Sequence, residues 1–150
     1  MTNFDSTVDR PVSDGPARWS IAGRFLEGLT SRDYERLATT LDEEVRFRAL
    51  LPPGSSQWVG RDETADVFRS WFGTADRFEV VDATVGEIGG RLQMTWRLRL
   101  RPAPFDIGAS WHVIEQHAFL DVADTISTID LVCSGFRAES THDTPTGGTR

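Results

Sequence analysis

The sequence predicts a single α+β domain in which helical patterns dominate the first half and an antiparallel sheet the second. Apolar residues recur at helical spacing early in the chain. From about residue 78 they alternate with polar residues, as strand residues do. Because helices and strands are largely segregated along the chain, the pattern favours α+β over a parallel α/β sheet. A chain of 150 residues is long enough to bury one hydrophobic core of this kind.

Apolar stripes predict three helices. The first covers about residues 17–29. A short second helix follows with a cap near Ser31 or Asp33, and the third opens at residues 60–62, with Asp62 as its cap. The stripes are Ile21, Ala22, Phe25, Leu26 and Leu29 in the first helix, Tyr34, Leu37, Ala38 and Leu41 in the second, and Ala65, Phe68, Trp71 and Phe72 in the third.

The clearest strand signal lies at residues 92–101, where Leu, Met and Trp alternate with Gln, Thr and Arg. We expect side chains 92, 94, 96 and 98 to point toward the first and third helices, and Arg97 and Arg99 to point away. Further strands are predicted at 45–49, 57–59, 78–88, 111–122 and 126–137, with turns at 52–56, 89–90 and 123–125 and a loop at 102–108.

Composition bounds the domain and its surroundings. Residues 1–15 and 139–150 lack hydrophobic periodicity, so we expect disordered arms flanking a domain at 16–138. No apolar run reaches the roughly 18 residues of a membrane span. The chain does not open with a secretory signal, which predicts a cytoplasmic protein that does not bind membranes.

Charge and residue inventory exclude further classes. The formal charge of −7 argues against nucleic-acid binding, which needs a basic face. The single cysteine, Cys133, can form neither an internal disulfide nor a cysteine-rich zinc site. Five tryptophans and nine phenylalanines suit either a dense core or a pocket for a hydrophobic small molecule.

Strand pairing predicts two ionisable groups, Glu115 and His117, among apolar side chains. The register expected from the last turn pairs Val122 with Ile126, Phe119 with Ile129, His117 with Leu131, and Glu115 with Cys133. A similar count across the 102–108 loop places Trp96 on the same face. The predicted ligand-binding residues are Phe25, Trp71, Met94, Trp96, Trp111, Phe119, Leu131 and Cys133.

Two ionisable groups in such a place suit general acid–base chemistry. Desolvation and mutual attraction act in opposite directions on the pKa values of Glu115 and His117, and a pair poised near neutrality can exchange protons with a substrate. In the alternative interpretation the two residues hydrogen-bond each other and only satisfy the core. Cys133 is more simply a small buried hydrophobe than a nucleophile.

The opposite face of the predicted sheet offers an interface. Its expected residues are Ile114, Ala118, Leu120 and Val132, with Gln116 and Thr128 among them. An exposed apolar patch of this kind usually marks a contact between proteins, so we expect a homodimer.

The element order, the GRD sequence at residues 60–62 and the closing ISTIDLVCSGFR segment resemble the SnoaL-like branch of the nuclear transport factor 2-like superfamily. The resemblance covers about residues 17–137. It implies a cone-shaped, curved mixed or antiparallel sheet wrapped around the N-terminal helices, as in cystatin-like architectures, with a pocket at its wide end. Many members pair as homodimers through the outer sheet face. The superfamily includes polyketide cyclases, ketosteroid isomerases, scytalone dehydratases, epoxide hydrolases and noncatalytic binding proteins.

The resemblance carries over to few residues. The cyclases use an acidic residue and a histidine on enolisable ketones, roles that Glu115 and His117 would fill. The epoxide hydrolases use an Asp-Arg-Asp set, but this chain has Leu131 at the last position and apolar residues near the others, which disfavours that activity. The isomerases need an inward Tyr and Asp, and Tyr34 is the only tyrosine here.

Three hypotheses follow. The first is a SnoaL-like enzyme of the cyclase or isomerase type, which acts without cofactor or metal on an apolar carbonyl compound, with His117 and Glu115 as acid and base. The second is a noncatalytic binding protein for a hydrophobic small molecule. The third is an interaction module that uses the fold as a dimer scaffold.

Overall fold

The computed structural model describes residues 11–101 and 110–139, with side chains from Ala17 onward. Residues 1–10 and 140–150, where disordered arms are expected, lie outside the described residues, as do residues 102–109 of the predicted loop. The first helix begins at Pro11, so residues 11–15 of the expected arm are helical. None of the helices described is long and apolar enough to cross a membrane.

The described elements confirm the α+β class. In chain order they are α1 (Pro11–Ser31), α2 (Tyr34–Ala38), β1 (Leu41–Leu51), β2 (Gly54–Val59), α3 (Arg61–Phe72), β3 (Arg77–Ile88), β4 (Arg91–Arg101), β5 (His112–Val122), β6 (Ile126–Cys133) and β7 (Arg137–Ala138). The strands form one curved, unclosed mixed sheet in the order β2-β1-β6-β5-β4-β3, and β7 pairs with the start of β5. Strands β1 and β6 are parallel, and the other neighbours are antiparallel.

Local signals explain several of the element boundaries. Asp33 caps α2 as predicted, because its carboxylate accepts a hydrogen bond from the backbone N–H of Arg36 at 3.1 Å. The predicted cap of α3 is wrong: Gly60, at φ 110°, occupies the N-cap position, and Asp62 lies in the first turn. The β3–β4 hairpin turns at residues 89–90 as predicted, where Gly89 adopts φ 61°.

The core fills the space between α1, α3 and one face of the sheet, which we call the inner face. Residues 92, 94, 96 and 98 of β4 are fully buried there, as predicted, whereas Arg97 is exposed on the outer face. The Trp96 ring centroid lies 6.2 Å from that of Phe25 on α1 and 6.4 Å from that of Phe68 on α3. Aromatic rings thus connect both helices to the centre of the sheet.

Several chain segments converge at one end of the sheet, which we call the loop end. Strands β1, β4 and β6 finish there, and β3 and β5 begin there, as their pairing shows. The end of α3 lies there too, since the Phe72 and Phe78 ring centroids are 5.9 Å apart. At the opposite end, Arg18 of α1 donates a hydrogen bond to the carbonyl of Gly90 in the β3–β4 turn.

Candidate functional site

The pairing of β5 with β6 differs from the predicted register by one residue. Val122 pairs with Ile126 as expected, but Asp121 pairs with Thr128, so Ser127 is an extra residue in β6. Such a bulge shifts every later β5–β6 pair by one position. Each β5 side chain then lies on the face opposite to the one predicted for it. His117 therefore lies opposite Val132 rather than Leu131, and Glu115 no longer opposes Cys133.

The predicted placement of Glu115 and His117 is consequently wrong. In the β4–β5 ladder, Glu115 pairs with Arg97 and His117 pairs with Thr95, which puts both on the outer face. Their side chains are 34% and 40% exposed. The acid–base hypothesis assumed an apolar, dehydrated setting for these two groups, and the outer face does not provide it.

On the outer face the pair belongs to a hydrogen-bonded chain. Arg97 Nη2 donates to Glu115 Oε1 at 3.0 Å, Glu115 Oε2 lies 3.1 Å from His117 Nε2, and His117 Nδ1 lies 3.2 Å from Thr95 Oγ1. The Arg97 guanidinium foremost, and His117 second, hold the pKa of Glu115 below its usual value. This carboxylate is therefore a stable partner for its neighbours rather than a base poised near neutrality.

The predicted ligand-binding residues divide between the two faces. Phe25, Met94, Trp96 and Leu131 are buried in the core, at most 2% exposed, and so serve packing. Trp71 is half-buried against Trp58, Phe47 and Phe68, and Cys133 is half-buried on the inner face. The inner placement predicted for Phe119 and Trp111 is wrong: Phe119 pairs with Asp130 on the outer face, and the Trp111 ring lies under the outer-face Arg99 guanidinium at 4.1 Å.

A row of polar groups crosses the inner face instead. The Trp96 indole N–H donates to Gln116 Oε1 at 2.7 Å, and Gln116 Nε2 donates to the Cys133 sulfur at 3.2 Å. The three residues occupy directly paired positions on β4, β5 and β6. Gln116 is fully buried, so this row satisfies a neutral polar side chain within the core.

His112 is the ionisable residue that the sequence reasoning missed. It pairs with Leu100, which is 5% exposed on the inner face, so its side chain shares that face at the loop end. Its Nδ1 lies 2.9 Å from the carbonyl oxygen of Ser110. Because a carbonyl only accepts, Nδ1 carries the proton in this contact, and Nε2 of the neutral ring is free to accept one.

A sequence signal for His112 exists in hindsight. The side chains of Ile114, Ala118 and Leu120 share one parity along β5 and are all buried, and His112 continues that parity by one step. The described inner-face positions of β4, β5 and β6 carry no carboxylate, and His112 is their one imidazole.

Aromatic side chains also lie at the loop end of the sheet. Phe78 pairs with Leu100, and the Phe72 centroid lies 5.9 Å from that of Phe78 and 6.4 Å from that of Phe136. Phe72 is fully buried, while Phe136 is 44% exposed. An apolar floor with one polar group at its edge is the usual composition of a small-molecule site. Within the described part of the chain, no cluster of His, Cys, Asp and Glu could hold a metal ion.

Comparison with protein families matches residues 22–126, more than half of the chain, to the SnoaL-like domain. The chain belongs to the SnoaL-like family. This confirms the resemblance seen in the sequence. A sequence search of curated proteins finds no match to it.

Solved structures support the same assignment. A candidate polyketide cyclase from Xanthomonas campestris pv. campestris is 19% identical with a TM-score of 0.62, over 78% of this chain and 90% of that one. A candidate ketosteroid isomerase from Kribbella flavida is 18% identical with a TM-score of 0.59, over 91% and 93%. An LEH-like epoxide hydrolase from M. tuberculosis is 20% identical with a TM-score of 0.57, over 77% and 80%. At these identities the likeness shows the fold of this SnoaL-like protein alone.

Proposed function

We propose that this SnoaL-like protein binds an apolar carbonyl compound at the loop end of its sheet and uses His112 in acid–base chemistry of the cyclase or isomerase type. The observation that carries the proposal is the placement of His112. It is the described imidazole on the inner face of β5, opposite Leu100, and its Nδ1 is engaged by the Ser110 carbonyl while Nε2 makes no hydrogen bond within the described part of the chain.

The chemistry follows from that geometry. Nε2 of the neutral ring can remove a proton from the carbon next to a carbonyl, and the resulting imidazolium can return it at another atom. The Ser110 carbonyl fixes the tautomer and helps to stabilise the imidazolium through the Nδ1–H hydrogen bond. A bound apolar ligand would displace water from the half-buried His112, which would strengthen its electrostatic interactions with a developing enolate.

Deuterium exchange tests the proposal without knowledge of the natural substrate. An enzyme that forms an enolate in D2O exchanges the α-hydrogens of a ketone, and mass spectrometry detects the heavier product. We suggest 1-indanone, 1-tetralone and a 3-ketosteroid as probes. We expect the native protein to exchange deuterium faster than buffer alone. His112→Gln should lower the exchange rate by about 10²–10⁴-fold.

His117→Gln is the matched control, because it makes the same substitution on the same strand but on the outer face. It should leave the exchange rate within a factor of two of the native rate. Equal losses in the two variants, or a loss confined to His117→Gln, would contradict the assignment of His112. That second result would restore the pair first predicted, Glu115 and His117.

The noncatalytic binding protein is the second candidate, and one observation favours it. The described inner-face positions of β4 to β6 supply no carboxylate to assist His112, and the Trp96–Gln116–Cys133 row is satisfied internally. Displacement of a fluorescent apolar dye by the ketone probes, with no deuterium exchange, would support binding without catalysis.

The homodimer stays a prediction, but the residues expected to form its apolar patch do not do so in the described part of the chain. Ile114, Ala118 and Leu120 are buried in the core, at most 1% exposed. The outer face instead presents Val132 at 46% exposure and Leu50 at 54%, bordering a shallow cleft of about 600 Å³ among ion pairs. An interface there would have a small apolar centre and a charged rim. Light scattering at micromolar concentration would contradict it by showing a monomer.

A further inference from the structure

Arg32 occupies an unusual position between α1 and α2. Its backbone adopts φ 59°, a left-handed conformation that few residues other than glycine tolerate. Its Nη1 donates hydrogen bonds of 3.0 Å to the carbonyl oxygens of Phe72 and Ala75, just at and beyond the end of α3. Its guanidinium carbon lies 4.9 Å from the centroid of the Phe78 ring. The guanidinium is thus fixed at the loop end over Phe78, which lies two strands from His112 on the same face of the sheet.

The charge of Arg32 has no carboxylate counterpart among the residues described. The half-buried Arg18, Arg91, Arg99 and Arg101 each form an ion pair with Asp or Glu, whereas the described hydrogen bonds of the Arg32 side chain go only to carbonyl oxygens. Nε and Nη2 of Arg32 make no hydrogen bond within the described part of the chain. A guanidinium presents up to five donors in one plane, and the remaining donors suit a carboxylate or an enolate oxygen.

Strand pairing gives the separation between His112 and Phe78, the aromatic residue next to the Arg32 guanidinium. Phe78, under the guanidinium, pairs with Leu100, and Leu100 pairs with His112. Two strand spacings separate Phe78 from His112, which is about 10 Å. The floor between these polar ends consists of apolar side chains, and Phe72 lies against it from α3.

We propose that Arg32 recognises an anionic group of the ligand, so that the substrate class is an apolar, ring-containing carbonyl compound with a carboxylate or comparable anion about 10 Å from its reacting carbon. This inference depends on the proposed function, since it assigns a second recognition point to the same site. Arg32 orients the ligand by its anionic end and leaves the carbonyl end at His112. The planar donors and the stacked aromatic ring favour a planar anion.

A matched pair of rigid probes tests the inference. In 6-acetyl-2-naphthoate an enolisable acetyl group and a carboxylate lie at opposite ends of a bicyclic ring, and 6-acetyl-2-naphthamide has the same shape without the charge. We expect calorimetry to show tighter binding of the carboxylate by the native protein. Arg32→Gln should weaken carboxylate binding by about 10- to 100-fold, the range for a hydrogen bond to a charged group, and leave amide binding within about twofold.

Two further variants separate recognition from folding. Arg32→Gly removes the guanidinium at a backbone position that glycine adopts freely, so it should fold and still lose the carboxylate preference. Arg77→Gln removes one positive charge at the start of β3, from an exposed side chain adjacent to Phe78 in sequence, and should keep the preference. Each protein is compared through its own carboxylate-to-amide ratio, so general loss of stability cancels.

The outcomes distinguish this inference from the proposed function. If the amide binds and exchanges deuterium through His112, while Arg32 variants keep the native carboxylate-to-amide ratio, the function stands and the inference is wrong. Equal weakening of both probes by Arg32→Gln and Arg32→Gly would show that Arg32 only caps α3, and would also overturn it. If neither probe binds the native protein, the proposed site and the inference both fail.

Discussion

The two faces of β5 solve the problem of polar side chains in opposite ways. On the inner face the polar groups are neutral, and Gln116 is satisfied by Trp96 and Cys133 in directly paired positions. On the outer face they are charged and exposed to water, and Glu115 is held by Arg97 and His117. The two environments are one residue apart in sequence.

The difference reflects the cost of removing charge from water. A buried neutral amide needs only its hydrogen bonds, whereas a buried carboxylate also needs a compensating charge. The outer face can hold a lattice of ion pairs because solvent screens it, and Asp130 there accepts hydrogen bonds from both Arg48 and Arg91. His112 combines features of both environments: it lies on the inner face, but at the loop end, where it is only half-buried.

We expect the largest difference between the two faces when adjacent residues of β5 are substituted. Leu120 is fully buried on the inner face, and Phe119 is half-buried on the outer face. Leu120→Asn should lower the free energy of unfolding by at least about 3 kcal/mol, because it removes buried apolar surface and buries an amide without partners. Phe119→Asn should cost about 1 kcal/mol. Urea denaturation of both variants measures the two values.

The same experiment discriminates between the two registers. A larger loss for Phe119→Asn than for Leu120→Asn would mean that β5 presents Phe119, Glu115 and His117 to the core, as the sequence predicted. The assignment of His112 to the inner face would then be wrong as well, because it has the parity of Leu120.

The fold was predictable because its strongest signals are local. The alternation in β4 has no exception between Leu92 and Arg101, so the inner face of that strand could be assigned correctly. The order of the helices and the Gly89-Gly90 hairpin follow equally from spacing and from glycine conformation. These features require no knowledge of how distant segments pair.

The candidate site was not predictable in the same way. In β5 apolar residues occur at both parities, with Val113 and Phe119 on one face and Ile114 and Leu120 on the other, so the pattern alone does not fix the face. The register depended instead on counting from the turn, and the bulge at Ser127 carries no distinctive sequence signal. Because of this one extra residue, Glu115 and His117 lie among the outer-face ion pairs instead of in the predicted site.

A smaller loss of stability tests the Trp96–Gln116–Cys133 row on the inner face. Gln116→Leu should cost about 1–3 kcal/mol in the free energy of unfolding, because it leaves the buried Trp96 N–H without its acceptor. Trp96→Phe removes the donor as well, so the double variant should be more stable than the sum of the two single losses predicts. Thermal and urea unfolding of the three variants form a double-mutant cycle. Strictly additive losses would show that the indole–amide hydrogen bond contributes nothing.

The smallest effect concerns pH and the outer face. Arg97 and His117 lower the pKa of Glu115, so folding favours its ionised form. That contribution is present above the unfolded-state pKa, near 4.3, and is lost as the pH falls through the folded-state value. Because Glu115 is 34% exposed and solvent screens the pair, we expect the contribution to stay below about 1 kcal/mol.

In NMR titration of the Glu115 carboxyl, Arg97→Ala should raise the midpoint more than His117→Gln does, since Arg97 has the larger influence. Glu115→Gln should correspondingly flatten the fall in melting temperature below about pH 4.3. A midpoint unmoved by Arg97→Ala would mean that the Arg97–Glu115 ion pair does not form in solution. The contrast between a charged outer face and a neutral inner face would then be wrong at this position.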